Sequence, residues 1–268
     1  MKNIPKKAHF YWGGKILPFL RYMTVFSFNK LNPEWEITLY DPVAVSRRYS
    51  WTTPENKHEI NTDDFWNKLP GNIQRKTVDF EKIGISNDVP EVIKSDYLRL
   101  HLLSTDGGLW ADMDILFFKP LTHAFKPGEY TTYLCFHSNH LIRRKFHSIG
   151  LLMACPDNTI FKKLFKKAKT RVEEQNIQTI GSPFYRKFVD MSDPGIFNIP
   201  MGIVYPLRWR ENILSMPAGK ALKRLVDNTI GIHWYAGFPK AGEFQNAITQ
   251  NTYTNYDNIL THFIRQLL

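Results

Sequence analysis

Ser95-Asp96-Tyr97-Leu98-Arg99, followed by Gly107-Gly108-Leu109-Trp110-Ala111-Asp112-Met113-Asp114, carries a helix into a strand and ends on two acids. Asn87 or Asp88 can cap that helix, and Pro90 suits its first turn. Val92, Tyr97, Leu100 and Leu103 provide its core-facing set, and Gly107 suits a left-handed stop. Gly108 to Ala111 then enters a short strand ending at Asp112, and Ile115 to Phe118 continues as apolar strand up to Pro120. A helix delivering an acidic pair to the end of a strand predicts an α/β fold.

Carboxylates at i and i+2 of an extended segment point to the same side. Both are hard oxygen donors, suited to Mg²⁺ or Mn²⁺ rather than zinc. So close a pair repels unless a cation or a proton sits between them. Asp112 and Asp114 also read as plain turn aspartates after the glycines, and the tripeptide alone is common. Asp96 and Arg99 are i, i+3 neighbours on one helix face. They form either a surface ion pair of little worth or a carboxylate and guanidinium aimed at sugar hydroxyls near a metal. The helix leads straight to Asp112, which favours the second reading.

Outward from this stretch, Ile4 to Trp12 reads as an opening strand closed by Gly13-Gly14, and Phe19 to Asn29 has helical spacing. Glu34 to Tyr40 alternates with period two. Strand, helix, strand is the first unit of a nucleotide-binding α/β domain. Residues 42–85, with Trp51, Phe65 and Trp66, suggest short helices in an insertion. Tyr130 to Phe136 and Ile149 to Ala154 look like strands flanking an exposed loop from His137 to His147. Asn158 caps a helix through about Glu174. Its stripe is Ile160, Phe161, Leu164, Phe165, Ala168 and Val172; the opposite surface is Lys162, Lys163, Lys166, Lys167 and Lys169. Thr229 to Tyr235 suggests a further strand and Tyr256 to Leu268 a terminal helix. With no repeat or linker, residues 1–268 are expected to form one domain.

The 268 residues, 43% hydrophobic and 14% aromatic, can build one substantial core. The net charge of +10 fits nucleic acid, an anionic membrane surface or an acidic substrate. No stretch reaches the ~18 apolar residues of a membrane span, and no apolar signal core follows the basic start, Met1 to Lys7. Cytoplasmic placement is therefore expected, with peripheral membrane contact as an option. Two cysteines, Cys135 and Cys155, make neither a disulfide framework nor a zinc pattern.

The segments Ile4 to Gly14, Asn32 to Glu36, Ser95 to Arg99 and Gly107 to Asp114, in that order, resemble glycosyltransferase family 32, whose members carry a DxD sugar-binding region. The group includes fungal initiating mannosyltransferases and bacterial capsule enzymes, and it is similar to the catalytic core of the large clostridial glucosylating toxins. The match is good over about residues 4–120 and weak beyond. The resemblance implies a GT-A fold: a single Rossmann-like domain with a mixed central sheet, a donor-binding half at about 1–120 and an acceptor half at about 121–268. It also implies a UDP- or GDP-sugar donor, a Mn²⁺ or Mg²⁺ ion, a glycan or lipid-linked acceptor and retention of configuration.

Residue by residue, the Tyr11-Trp12-Gly13 segment falls at the donor, with Trp12 matching the aromatic that stacks on the nucleobase. Asp96 and Arg99 match the pair that binds donor ribose and sugar. Asp112 lies towards ribose and sugar, and Asp114 is the more direct metal ligand. Trp110 stands where the family usually has Tyr. No Asn occurs in His147-Ser148-Ile149-Gly150, where family members often have one. Gly231-Ile232-His233-Trp234 resembles a late segment near the diphosphate, so His233 can ligate metal or contact phosphate; a satisfied core histidine is the other reading.

The lysine face at 162–171 reads either as solvated surface or as a site for an anionic acceptor or membrane. His137, His140, Arg143, Arg144 and Lys145 are candidates for the acceptor mouth. A nucleic-acid-binding module would need clustered aromatics and cations in a recognisable motif; none appears. A metal-dependent nucleotide-sugar or phosphoester hydrolase could use the same acids, and glycosyl transfer ranks ahead of both.

Overall fold

The computed structural model of the chain describes residues 3–46, 63–124, 128, 130–139, 144–172, 176, 178–208, 211–238, 241 and 244–268, with backbone alone at 138–139 and 144–146. It begins with β1 (Lys7–Tyr11), α1 (Phe19–Leu31) and β2 (Glu36–Pro42). β1 and β2 pair in parallel from Lys7↔Glu36 to Tyr11↔Tyr40, as a β-α-β unit requires. β3 (Ile73–Val78) adds to β2 in parallel. After α2 (Phe80–Ile83) and α3 (Glu91–Thr105), β4 (Gly108–Ala111) joins the opposite side of β1. β5 (Ile115–Phe117) then leaves the main sheet.

The remaining elements are β6 (Thr132–Asn139), β7 (Arg144–Ala154), α4 (Thr159–Lys169), α5 (Ser182–Phe188), β8 (Ile196–Asn198), α6 (Ala218–Leu222), β9 (Gly231–His233) and α7 (Ile259–Leu267). The large sheet has the order β3-β2-β1-β4-β7-β6-β8, and β5 pairs with β9 in a small second sheet. β7 runs antiparallel to both β4 and β6, so the central sheet is mixed. This is the α/β fold class expected from the sequence.

Alternating residues feed two cores, one on each sheet face. Phe10, Leu109, Ala111, Leu151 and Met153 pack with α1 and α7. Tyr11, Trp110, Leu152 and Ala154 pack with α3, α4 and α5. Chain order reverses at β1, with β2 on one side and β4 on the other. Such a switch point opens a crevice at the carboxyl ends of the strands, and Trp12 and Asp112 leave those ends.

Three local expectations need correction. Within residues 42–85, short helical turns do occur at Trp66–Lys68 and Phe80–Ile83, but Ile73–Val78 is a strand. It is the sheet edge, with only Ile73 buried, so its sequence shows no alternation. The supposed loop at His137 to His147 is largely hairpin, paired from Phe136↔His147 to Asn139↔Arg144. His147 is buried, and burial, then the Arg186 charge, pushes its pKa down to about 4. α3 starts later than Asn87, with Pro90 at its cap position; Asn87 instead accepts from the Phe80 N–H at 3.0 Å. Trp51, His140, Arg143 and Glu174 lie outside the described residues.

Asn158 caps α4 as expected, accepting from the N–H groups of Ile160 and Phe161. Cys135 and Cys155 are free and buried. Gly107 and Gly108 both take positive φ, +67° and +94°. A Cβ on Gly108 would lie 2.4 Å from the Lys7 carbonyl oxygen, a backbone atom of β1 that cannot step aside. Gly108→Ala is therefore expected to lower stability by roughly 2 kcal/mol or more. Gly71→Ala, with nothing within 4 Å of the added carbon, should melt close to the parent. Thermal unfolding of the two variants checks the contrast.

Candidate active site

The acidic turn is held by its backbone before its side chains do anything. The Asp112 N–H donates to the Gly150 carbonyl at 2.8 Å, and the Trp234 N–H donates to the Asp114 carbonyl at 3.0 Å. Between them the Thr24 hydroxyl of α1 donates to the Met113 carbonyl at 2.9 Å. The segment is thus a turn bridging the two sheets rather than continuous strand.

Its two carboxylates face different partners. Asp112 Oδ1 accepts from the Trp110 indole N–H at 2.8 Å and from Arg99 Nη2 at 3.1 Å. Asp114 Oδ2 accepts from the Ala236 N–H at 2.9 Å, and its Oδ1 lies 3.1 Å from His233 Nε2. His233 Nδ1 accepts from the Tyr235 N–H at 3.2 Å, which turns Nε2 towards Asp114. Tyr235 has φ +54°, the kind of backbone strain that a site retains only when its surroundings enforce it.

Arg99 is not a surface ion-pair partner. Its side chain is 4% exposed and that of Asp96 is 5%, with Nη2 to Asp96 Oδ1 at 2.7 Å. Its Nη1 donates to the Ile149 carbonyl at 2.5 Å, and its guanidinium lies 5.2 Å from the Trp110 ring centre. One guanidinium therefore serves two carboxylates. At Asp96 burial raises the pKa more than Arg99 lowers it, and Asp112 adds to the rise, so the group stands at about 7. Burial works against the Arg99 charge, yet Asp112 and Asp96 together hold its pKa above the ordinary value. At Asp114 burial opposes ionisation, but the His233 charge and hydrogen bond, with Arg21 and the Ala236 amide, hold the carboxyl well below the usual range.

The side-chain ligand atoms of Asp112, Asp114 and His233 all lie within 4.8 Å of one another. A Cβ on Gly150 would come within 3.0 Å of Asp112 Oδ2 and of the His233 ring, so glycine keeps that space open. Two carboxylates and an imidazole around free volume fit a divalent cation. The three residues, with Asp96 and Arg99, line a cavity of about 280 Å³. Gln178, Gly181, Ser182, Tyr235 and Phe238 line it too.

Asp96, Arg99, Asp112, Asp114 and His233 thus meet in one cavity, with Trp110 directly behind Asp112. Tyr11, Trp12 and Gly13 do not line it. Tyr11 is buried, its hydroxyl donating to the Glu91 carboxylate. The Trp12 indole N–H donates to the Ile16 carbonyl at 2.7 Å, and Arg21 lies 4.8 Å from its ring centre. Thr24, Gly150, Tyr235 and Arg21 have no distinguishing motif. Their roles come from backbone bonds and close approaches that only the fold creates.

Residues 66–192, just under half of the chain, match the family model described as capsular polysaccharide synthesis protein. That span contains Asp96, Arg99, Asp112 and Asp114. Among curated proteins, none matches the sequence. Among solved structures the chain is similar to the PaToxG glycosyltransferase, with a TM-score of 0.52 and 16% identity over 72% of each chain. It also matches galactosyltransferase LgtC in complex with donor and acceptor sugar analogs, at TM-score 0.45 and 14% identity over 92% of this chain and 99% of that one. Glycosyltransferase GlyE of Streptococcus pneumoniae TIGR4 gives TM-score 0.49 and 14% identity over 99% of this chain and 61% of that one. The architecture is that of a GT-A glycosyltransferase.

The Asp96 environment has a measurable consequence. Its folded pKa is raised from 3.8 to about 7, so between these values the unfolded chain loses a proton that the folded chain keeps. Stability from this group then falls as pH rises through that window and stays low above it. Asp96→Asn should flatten that part of the profile, gaining up to about 4 kcal/mol on the parent between pH ~4 and ~7. Denaturant unfolding of both proteins across that range reads the difference; parallel profiles would refute it.

Proposed function

We propose that the chain is a metal-dependent, retaining glycosyltransferase of the family 32 type, moving a sugar from a UDP- or GDP-sugar to a glycan or lipid-linked acceptor in polysaccharide synthesis. The observation that carries this is the convergence of Asp112, Asp114 and His233 on one open space beside the buried Asp96–Arg99 pair. The partial match to a capsule-synthesis family and the GT-A architecture support the same reaction class. We take residues 1–268 as one catalytic domain, since the cavity draws on Val92 to Asp114 and also on Ile149 to Phe238.

Asp114 and His233 would hold Mn²⁺ or Mg²⁺, with Asp112 contributing on the side facing Gly150. When bound, such an ion supplies Lewis-acid stabilisation of charge on a departing diphosphate. Arg99 and Trp110 keep Asp112 oriented through Oδ1, leaving Asp112 Oδ2 without a share in their bonds. Asp96, with a pKa raised to about 7, is populated in both its protonated and ionised forms near neutral pH and can donate to or accept from a sugar hydroxyl. The cavity walls fix the donor pose, which contributes to rate by orientation. Retention follows from the family resemblance and calls for departure and attack on one face of the sugar.

The acceptor side is assigned to the second half. α5 starts at the cavity with Ser182 and ends at Phe188, whose ring is flanked by Lys167, Arg171 and Lys187 at 4.4 to 5.4 Å. That basic surface suits an anionic lipid-linked acceptor or peripheral contact with an anionic membrane. Among the described residues no helix is long and apolar enough to cross a membrane. A cytoplasmic enzyme working at a membrane surface is consistent with both features.

The test is a screen of UDP- and GDP-sugars for Mn²⁺-dependent turnover, with nucleotide binding followed by calorimetry. Asp114→Asn is expected to reduce turnover at least ~100-fold and to remove the Mn²⁺ dependence of nucleotide binding. Full metal-dependent activity in that variant would sink the assignment.

A further inference from the structure

Lys94 has no exposed surface, a location lysine takes only with partners. Its Nζ donates to Glu91 Oε1 at 2.8 Å and to the Ala44 carbonyl at 2.7 Å. The same Glu91 Oε1 accepts from the Ser46 N–H at 2.6 Å, while Oε2 accepts from the Tyr11 hydroxyl. Burial, the Glu91 charge and that hydrogen bond hold the Tyr11 phenol protonated, with a pKa raised well above its ordinary value. Gly13 sits against the same carboxylate; a Cβ there would lie 2.1 Å from Glu91 Oε2.

One ion pair in the first turn of α3 therefore fastens two separate backbone segments. The first, Tyr11 to Gly13, leaves the carboxyl end of β1 and includes Trp12. The second, Ala44 to Ser46, follows the carboxyl end of β2. In open α/β sheets ligands, nucleotides among them, lie in the crevice outside the carboxyl ends of the strands, which both segments border. The helix that fastens them also carries Asp96 and Arg99 at the sugar end of the cavity. α3 thus sets the spacing between both ends of the donor site.

We propose that Glu91 and Lys94 are positioning residues for the nucleoside end of a nucleoside-diphosphate sugar, acting through Tyr11, Gly13 and the Ala44–Ser46 backbone. The inference rests on the donor reading given above. It also gives Tyr11 and Gly13 a role behind the site in place of direct donor contact. A merely structural ion pair would change stability but not discriminate between nucleoside and metal. A positioning pair changes affinity for the nucleotide and spares the cation held by Asp114 and His233.

The experiment compares the full chain with Lys94→Met and Tyr11→Phe. UDP and GDP binding in Mn²⁺ is measured by calorimetry, Mn²⁺ binding alone by electron paramagnetic resonance, and donor turnover as kcat and KM. Lys94→Met should weaken nucleotide binding and raise donor KM about tenfold, the equivalent of about 1.4 kcal/mol. Tyr11→Phe, which removes one hydroxyl and keeps the ring, should act in the same sense by about threefold. In both, Mn²⁺ affinity and kcat at saturating donor should stay within about twofold of the parent. Unchanged nucleotide affinity in the folded variants overturns the inference while leaving the donor reading intact. A parallel fall of Mn²⁺ affinity, kcat and nucleotide affinity also overturns it, since that is general loosening. If Lys94→Met does not fold, Tyr11→Phe alone decides. Failure of the parent chain to bind either nucleotide overturns the donor reading and this inference together.

Discussion

A single buried guanidinium shared by two buried or half-buried carboxylates is the constraint on which the site is built. Removing Arg99 would leave Asp96 and Asp112 facing each other across a low-dielectric interior, an arrangement that costs several kcal/mol. One positive charge faces two acids that differ in burial. Asp96, deep and 5% exposed, responds by holding its proton up to about pH 7. Asp112, at 23% side-chain exposure, faces the cavity. The third Arg99 contact, to the Ile149 carbonyl, ties β7 to the same charge. Helix α3, strand β4 and strand β7 are thereby brought to one point by electrostatics as well as by packing.

That point lies where the chain passes from the large sheet to the small one. Thr24 and Trp234 hold the carbonyls of Met113 and Asp114, so the turn belongs to α1 and to the β9 segment as much as to β4. Splitting the support this way turns Asp112 towards Arg99 and Asp114 towards His233. Residues two apart in sequence consequently occupy different electrostatic environments. The open volume between them is kept by Gly150, which stands on a strand packed against β4.

What could be read from the sequence was the part written in side chains of unusual type at short spacing. Asp112 and Asp114, the Asp96–Arg99 pair and the Gly107-Gly108 stop are local signals; the structure brings the four charged residues to one cavity and gives both glycines positive φ. The opening β-α-β unit was legible for the same reason, since period and punctuation sit within about forty residues. β3 was not, because an edge strand with four exposed polar residues in a row, Gln74 to Thr77, has no buried stripe to announce it. His147 was misplaced because its burial comes from Phe136 and Tyr185, and Tyr185 lies on a helix distant in sequence. Tyr11 and Gly13 stand against Glu91, a partner that spacing along the chain cannot show.

Substitutions at the site illustrate why the pattern of letters underdetermines the chemistry. Trp110, where the family 32 resemblance leads one to expect tyrosine, has no hydroxyl, yet its indole N–H reaches Asp112 Oδ1 at 2.8 Å. The indole supplies a donor to Asp112, and the ring adds a face beside the Arg99 guanidinium. The absence of asparagine at 147–150 is likewise not an absence of polar groups. The Ile149 and Gly150 carbonyls accept from Arg99 and from the Asp112 N–H. Backbone groups have no letter in the sequence, and every residue but proline offers both a donor and an acceptor. A site that depends on them becomes visible only once the fold has fixed which carbonyl points where.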